Sequence, residues 1–368
     1  MGIISEIFHR NRNAIQIDDS WNRNVFNNIA DCGSGRLGTT SFICSDCKAV
    51  EVINASCGSR NCPSCGGAAR DKWVKKSSER LFPVKHFHAV FTLPHELNGL
   101  IELHKNTMLN LLINAVAETI FKFSKTTLGG IPAFMMVLHS WTQKPEPHYH
   151  VHVLIAAGSW SGGSWKRHEE KFLFPIHALS QVFRAKYIHM LTRLIKDEKS
   201  SLFKKSVPTL PKKWNVYCAP PYSGADVSVK YFGLYANRVG ISNFRILGAT
   251  NGMVEIALKR DNSEKDPVLH DAQEVVCKDK KSFIISEIEF VKRFCTHILP
   301  KGFTKIRYFG LYSPRSKIRE SVRASLEKIK VGNGLVIVVS AFRKCSKCEF
   351  RILHFLKRDK LFSTGPPK

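Results

Sequence analysis

Acidic residues are scarce in this 368-residue chain: 30 Asp and Glu stand against 56 Lys and Arg, a formal net charge of +26. A surplus of that size argues for a polyanionic partner, because neutralising many phosphates takes many cations. Long apolar runs are also missing. No stretch reaches the roughly eighteen residues that a membrane helix needs, and the most apolar segment, 97–123, is interrupted by Glu102, His104, Lys105 and Glu118. The opening residues Met1–Glu6 lack the apolar core of an export signal. Glu6 stands where a myristoylation pattern wants Ser or Thr. The expectation is a cytoplasmic protein without a membrane partner. No internal repeat and no long low-complexity tract is present. The 43% apolar content is ordinary for a globular chain of two or three structural units.

Composition divides the chain into four regions. Residues 1–80 are Cys- and Gly-rich with little hydrophobic period, too little to bury a large core, so a metal staple is expected there. Residues 81–250 alternate strand-like and helix-like patterns. Strands are predicted at 86–93, 134–141 and 150–155, and helices at 97–123, 174–195 and 227–239. Lys144–Pro147 reads as a hairpin turn and Gly158–Ser164 as a loop. Residues 251–310 extend this domain, with strands predicted near 244–258 and a helix near 287–295. Residues 311–368 form a basic tail with 14 Lys and Arg against 4 Asp and Glu.

Six of the eleven cysteines lie between Cys32 and Cys65. In a reducing compartment such a cluster reads as metal ligands rather than disulfides. Cys44-x-x-Cys47 and Cys62-x-x-Cys65 are two knuckles fourteen residues apart, and each can place two thiolates on one tetrahedral zinc. A four-thiolate site is coordinatively closed, hence structural. Cys32 and Cys57 are left over for a possible second zinc, without further ligands beside them. Arg60, in the turn Ser56–Asn61, is free for phosphate. With Arg70, Lys72, Lys75 and Lys76 it suggests a DNA-contacting clip.

His150-Val151-His152 lies in a strongly β-favouring run. Residues two apart in a strand share a face, so both imidazoles project the same way and can grip one cation. His139 or Gln143, across the hairpin and of matching parity, can supply a third ligand for Mg²⁺ or Mn²⁺ with positions left open for phosphate oxygens. His148 is a weaker third candidate. Further on, Tyr231 and Tyr235 lie one helical turn apart. Val229, Phe232, Ala236 and Val239 form an apolar stripe on that helix, and the tyrosines sit about 90° from its centre. They can therefore line a cleft. A phenol of pKa about 10 is a poor nucleophile near neutrality, but a nearby cation stabilises the phenolate and polarises the phosphate. Lys230 and Arg238 flank the pair as DNA contacts.

Taken together, these motifs resemble the two-tyrosine HUH transposases of bacterial rolling-circle insertion sequences, the IS91 type. The resemblance runs from about Cys32 to Tyr312. It is carried by Ser56–Cys65, Phe87–Pro94, Leu138–Gln143 leading into His148–His152, Tyr231–Tyr235 with Ile241–Asn243, Leu299–Phe303 and Arg307–Gly310. It implies an α+β chain, with an N-terminal zinc-binding module followed by an HUH nuclease domain of antiparallel sheet flanked by helices. It implies a divalent metal on His150 and His152. It also implies attack of Tyr231 or Tyr235 on single-stranded DNA at element ends and target, giving a 5′-phosphotyrosine and a free 3′-OH. A nucleoid-associated protein and a possible homo-oligomer follow. Asn61 stands where the family commonly has His, and Thr39 and Thr40 lie near where another family His is expected. Cys345-x-x-Cys348 resembles half a knuckle, read as an unpaired remnant. Two alternatives fit the same residues less well: a plasmid replication initiator or relaxase of the same chemistry, and a non-catalytic zinc-finger DNA-binding protein.

Overall fold

The computed structural model describes residues 1–170, 173–196, 208–222, 232–233, 240–258, 281–327, 347 and 353–359, with backbone only for 67–72 and 353–359. Its strands are β1 (Thr39–Cys44), β2 (Val50–Asn54), β3 (His86–Thr92), β4 (Ala133–Trp141), β5 (Pro147–Ala156), β6 (Gly158–Ser161), β7 (Ser164–Arg167), β8 (Val216–Cys218), β9 (Ile246–Thr250), β10 (Met253–Ala257), β11 (Ser282–Ser286), β12 (Ile306–Gly310) and β13 (Leu353–Asp359). Its helices are α1 (Ile3–Arg10), α2 (Ser20–Ala30), α3 (Gly66–Ser78), α4 (Asn98–Leu103), α5 (Lys105–Phe123), α6 (Ile176–Lys196), α7 (Glu287–Thr296) and α8 (Arg319–Glu327). Mixed helices and antiparallel sheets make this an α+β chain.

The centre is a five-stranded sheet of order β12-β4-β5-β3-β8, antiparallel throughout. Alternation sorts its side chains onto two faces. Phe87, Ala89 and Phe91 of β3, Phe134, Met136 and Leu138 of β4, and Val151, Val153 and Ile155 of β5 share one buried cluster with α5 and α6. The intervening residues Met135, Val137 and Leu154 turn the other way, into a cluster with Phe82, Phe232, Tyr312 and Val322. Both faces are thus covered, which explains why β4 and β5 read as nearly continuous apolar runs. The histidines belong to the second face.

Three expectations change. The predicted helix over 97–123 breaks at His104, whose backbone leaves the helical region, so α4 and α5 are separate. The Gly/Ser stretch 158–164 is a β6–β7 hairpin, with Trp160 opposite Trp165. Two aromatic residues supply the cross-strand pair that a loop reading overlooked.

Residues 1–30 are also richer in core than their composition implied. Ile4, Ile7 and Phe8 of α1 and Val25, Phe26 and Ile29 of α2 are buried with Val254, Ile256, Phe290, Val291 and Phe294. Their partners lie more than two hundred residues away, so local periodicity in 1–80 could not reveal them. The 251–310 segment consequently serves two bodies: β10, β11 and α7 complete this second core, and β12 adds an edge strand to the central sheet.

Candidate functional site

β4 and β5 set the histidines by register. His139 pairs directly with His150, and Val137 with His152. The ligand nitrogens of His139, His150 and His152 all lie within 4.8 Å of one another. Their ring centroids are 5.3, 4.5 and 4.9 Å apart for the 139–150, 139–152 and 150–152 pairs. Two hydrogen bonds orient the rings. His150 Nδ1 lies 3.0 Å from the His148 carbonyl oxygen, to which it donates, leaving Nε2 for a cation. His152 Nδ1 lies 2.9 Å from His88 Nε2. A His152 that gives its Nε2 lone pair to a metal carries its proton on Nδ1 and donates it to His88.

Burial is the main cause that holds His152 well below the ordinary histidine range; His139, His150, His88 and Lys305 add to the effect. Neutral imidazole is the ligating form, so this donor set suits a divalent cation. Gln143 lies in the turn beyond β4 and lines the same cleft of about 310 Å³, as do Thr92, His148, Ser242 and Arg245. A bulge between His139 and Trp141 breaks the regular pairing there, so strand parity does not extend to Gln143. Of the two third-ligand candidates, His139 is the one whose ring joins the triad.

The second core grips the tip of this hairpin. Arg245 donates to the Gln143 carbonyl at 2.7 Å, Arg293 to the Lys144 carbonyl at 3.2 Å, and His297 Nε2 to the Pro145 carbonyl at 3.0 Å. Trp141 stacks on His139 at 4.7 Å, with the Lys305 ammonium 5.1 Å from its ring centre. Trp141 also borders a second pocket of about 330 Å³ shared with Arg60, Asn61 and Lys305. His88 was missed in the sequence reading. The signal was present, because His86-Phe87-His88 repeats the alternation of His150-Val151-His152 one strand away.

The cysteines regroup. The four thiols that come together are Cys32, Cys57, Cys62 and Cys65, all within 4.8 Å of one another. Cys65 Sγ is 3.7 Å from both Cys32 Sγ and Cys57 Sγ. A tetrahedron with Zn–S near 2.3 Å has edges of about 3.8 Å, so the spacing fits zinc. Backbone N–H groups of Cys57 and Ser59 point at Cys32 Sγ and Cys57 Sγ, each at 3.4 Å. Sulfur hydrogen bonds among the four thiols pull Cys65 far below the usual thiol range and Cys32 to about 7, and they push Cys57 and Cys62 well above it.

The expected pairing of Cys44 and Cys47 with Cys62 and Cys65 is therefore corrected, and Cys32 and Cys57 are not spare. The β1–β2 hairpin gives the reason. Cys32 and Cys57 flank its base, which Gly33 N–H closes onto the Ala55 carbonyl at 3.2 Å. Cys44 ends β1 at the tip, and at about 3.3 Å per residue a strand of this length spans well over 10 Å.

The expected DNA contacts divide similarly. Arg60 is not free: its guanidinium donates to the carbonyls of Phe303 at 2.6 Å and Pro300 at 3.4 Å. Arg70 and Lys72 lie in the 67–72 stretch of α3, where only the backbone is described. Lys230, Tyr231, Tyr235 and Arg238 lie outside the described residues. Their neighbour Phe232 is described. It is buried, with its ring edge-on to His88 at 6.1 Å. Among the described residues, no helix is long and apolar enough to cross a membrane.

Residues 3–93 match the family model described as "Transposase zinc-binding domain", and residues 133–320 match the one described as "Putative transposase". The chain is 30% identical over 310 residues to "Putative transposase y4qJ" of Sinorhizobium fredii, covering 80% of this chain and 75% of the relative. It is 24% identical over 303 residues to "Transposase for insertion sequence element IS801" of Pseudomonas savastanoi pv. phaseolicola, covering 77% and 68%. No solved structure matches. With one family model spanning half the chain and a second covering the module that holds the four thiols, the chain belongs to the IS91-type transposases.

Proposed function

We propose that this transposase cleaves and rejoins single-stranded DNA through a 5′-phosphotyrosine, with Tyr231 and Tyr235 as nucleophiles and His139, His150 and His152 as the ligands of Mg²⁺ or Mn²⁺. The observation that carries this reading is the convergence of three buried or half-buried imidazoles on one point of the sheet, on the face against which Phe232 packs. Phe232 adjoins Tyr231 in sequence. Gly240, Ile241 and Ser242, beyond Tyr235 in sequence, line the histidine cleft. The described chain thus meets this face at Phe232, between the two tyrosines in sequence, and the cleft at Gly240–Ser242, just after the second.

When bound, the divalent cation would polarise the scissile phosphate and favour the phenolate. The phenol oxygen attacks phosphorus, a P–O(Tyr) bond forms, and the bond to the 3′-oxygen breaks. The phenolic proton is passed on to that oxygen, which leaves as a 3′-OH. Two tyrosines allow a second transfer before the first adduct is released. His88 fixes the His152 ring, and Trp141 with Lys305 beside it offers a platform on which an unstacked base can lie. A net charge of +26 supplies the electrostatic attraction. Association of copies and a place on the bacterial nucleoid accord with such a role.

The test is a denaturing gel with 5′- and 3′-labelled single-stranded oligonucleotides from the element's ends, in Mn²⁺ or EDTA. The expected result is a protein-linked band carrying the 3′-side fragment, lost with EDTA and in the Tyr231→Phe/Tyr235→Phe double variant. Metal-independent binding without an adduct on any end sinks the proposal and favours a DNA-binding protein without catalysis.

A further inference from the structure

A cavity of about 330 Å³ lies beside the histidine cleft, and Trp141 and Gly240 border both. Three separate parts of the chain build it: the end of β4, the segment 299–306, and the turn that leads into Cys62 of the four-thiol group. Leu299, Phe303 and Ile306 line it with apolar surface, and Trp141 adds an aromatic wall. Its size falls at the lower end for sites that hold small organic groups. It has room for one planar group rather than a run of them.

Asn61 is the unusual member of the lining. It is 7% exposed, and its Nδ2 has no hydrogen-bond partner among the described residues. A buried amide donor left unpaired costs free energy, so its retention needs a reason. Local structure holds the residue in place without satisfying that donor. Asn61 N–H donates to Ser59 Oγ at 3.2 Å, and the next residue, Cys62, belongs to the four-thiol group. The preceding Arg60 guanidinium is tied to the Phe303 and Pro300 carbonyls of the 299–306 segment at 2.6 and 3.4 Å. The carboxamide is thus presented from a fixed turn. In one plane it offers donors and an acceptor, the complement of a nucleobase edge. Trp141 links this pocket to the cation site, because its ring stacks on His139 at 4.7 Å.

We propose that this pocket takes one unpaired nucleobase of a single-stranded DNA whose phosphate lies at the histidines, with the base against Trp141 and its edge read by Asn61. The inference rests on the single-strand reading above and adds a base-specific subsite to it. Trp141 supplies stacking, which every base accepts. Asn61 supplies hydrogen bonds that differ from base to base. One wall of the subsite comes from the N-terminal module, so that module takes part in choosing the strand as well as in folding.

The test walks a single abasic residue along single-stranded oligonucleotides from the element's ends. Binding to the full-length chain is followed by fluorescence anisotropy without added Mg²⁺ or Mn²⁺, so that no strand is cut. One position is expected to lose about 5- to 150-fold in affinity, the range that base–aromatic stacking supplies. Trp141→Ala should erase most of that penalty. Asn61→Ala should instead level the affinities of the four bases at that position, with zinc content unchanged. Uniform tolerance of the abasic residue by the wild type overturns the proposal, even if a variant does not fold. So does a penalty and a base preference that both variants retain. Either result leaves the transposase chemistry standing if the phosphotyrosine adduct still forms. The expected penalty and its loss in the variants, without any adduct, would sink the chemistry and keep the subsite. Failure to bind single strands at all overturns both.

Discussion

His88 stands beside the proposed ligand set and contacts one member of it directly. Its Nε2 meets His152 Nδ1 at 2.9 Å, with the rings nearly parallel at 1°. Hydrogen-bond partners of metal-ligating histidines fix tautomer and ring direction, and their loss commonly weakens metal binding about 10- to 100-fold. His88→Ala is expected to weaken Mn²⁺ binding by about that factor, read by calorimetry or electron paramagnetic resonance. His88→Gln keeps a side-chain carbonyl acceptor and should lose less. Equal affinities for wild type and His88→Ala would remove His88 from the site's support. Asn61 is a second residue with more to say than its position in a loop suggests. It is buried, its Nδ2 has no hydrogen-bond partner among the described residues, and it borders the pocket beside Trp141.

Helix α1 tests the second core. Phe8 is fully buried, with its ring 5.0 Å from Phe26 and 5.1 Å from Phe294. It joins the first helix of the chain to α7, whose N-terminal Glu287 also accepts from Arg10 at 2.5 Å and Asn11 at 2.6 Å. Removing a buried phenyl ring costs about 3–5 kcal/mol. Phe8→Ala should therefore lower the unfolding midpoint strongly in urea, and it should do so for α7 as well as for α1. A change below about 1 kcal/mol would mean that the N-terminal helices are not part of this core. The same core holds the β4–β5 tip through Arg245, Arg293 and His297, so softening it should also loosen the histidine site.

For the whole molecule, buried neutral histidines set an acid limit. Burial holds His86 at about 3 and His297 at about 4. The unfolded chain takes up protons near pH 6.5, whereas these two native groups do not. Stability from both is therefore full above about 6.5. It falls as pH drops, levelling off only near 4 for His297 and near 3 for His86. At pH 5 each contributes a loss of about 2 kcal/mol. Urea midpoints measured from pH 7.5 to 5 should decline steadily. His86→Gln should flatten that decline, although His86 Nε2 loses its 2.7 Å contact with the Tyr312 hydroxyl. A midpoint independent of pH over this interval would contradict the assignment.

What the sequence determined by itself was whatever depends on short spacing. The faces of β3, β4 and β5 follow from alternation. His150 and His152 share a face for that reason, and the turn between β4 and β5 follows from Lys144–Pro147. The cysteine-rich start announced a metal module because thiols at knuckle spacing have few other uses in a reducing compartment.

Only the tertiary structure decided which distant groups meet. Cys62 and Cys65 take Cys32 and Cys57, because a hairpin separates its base from its tip by the length of its strands. His139 reaches His150 because register sets them opposite, and His88 reaches His152 across the neighbouring strand. α1 finds Phe294, and β13 finds β1, across most of the chain. Local spacing carries no information about such pairings, since their free energy comes from burial and register that exist only once the chain has folded.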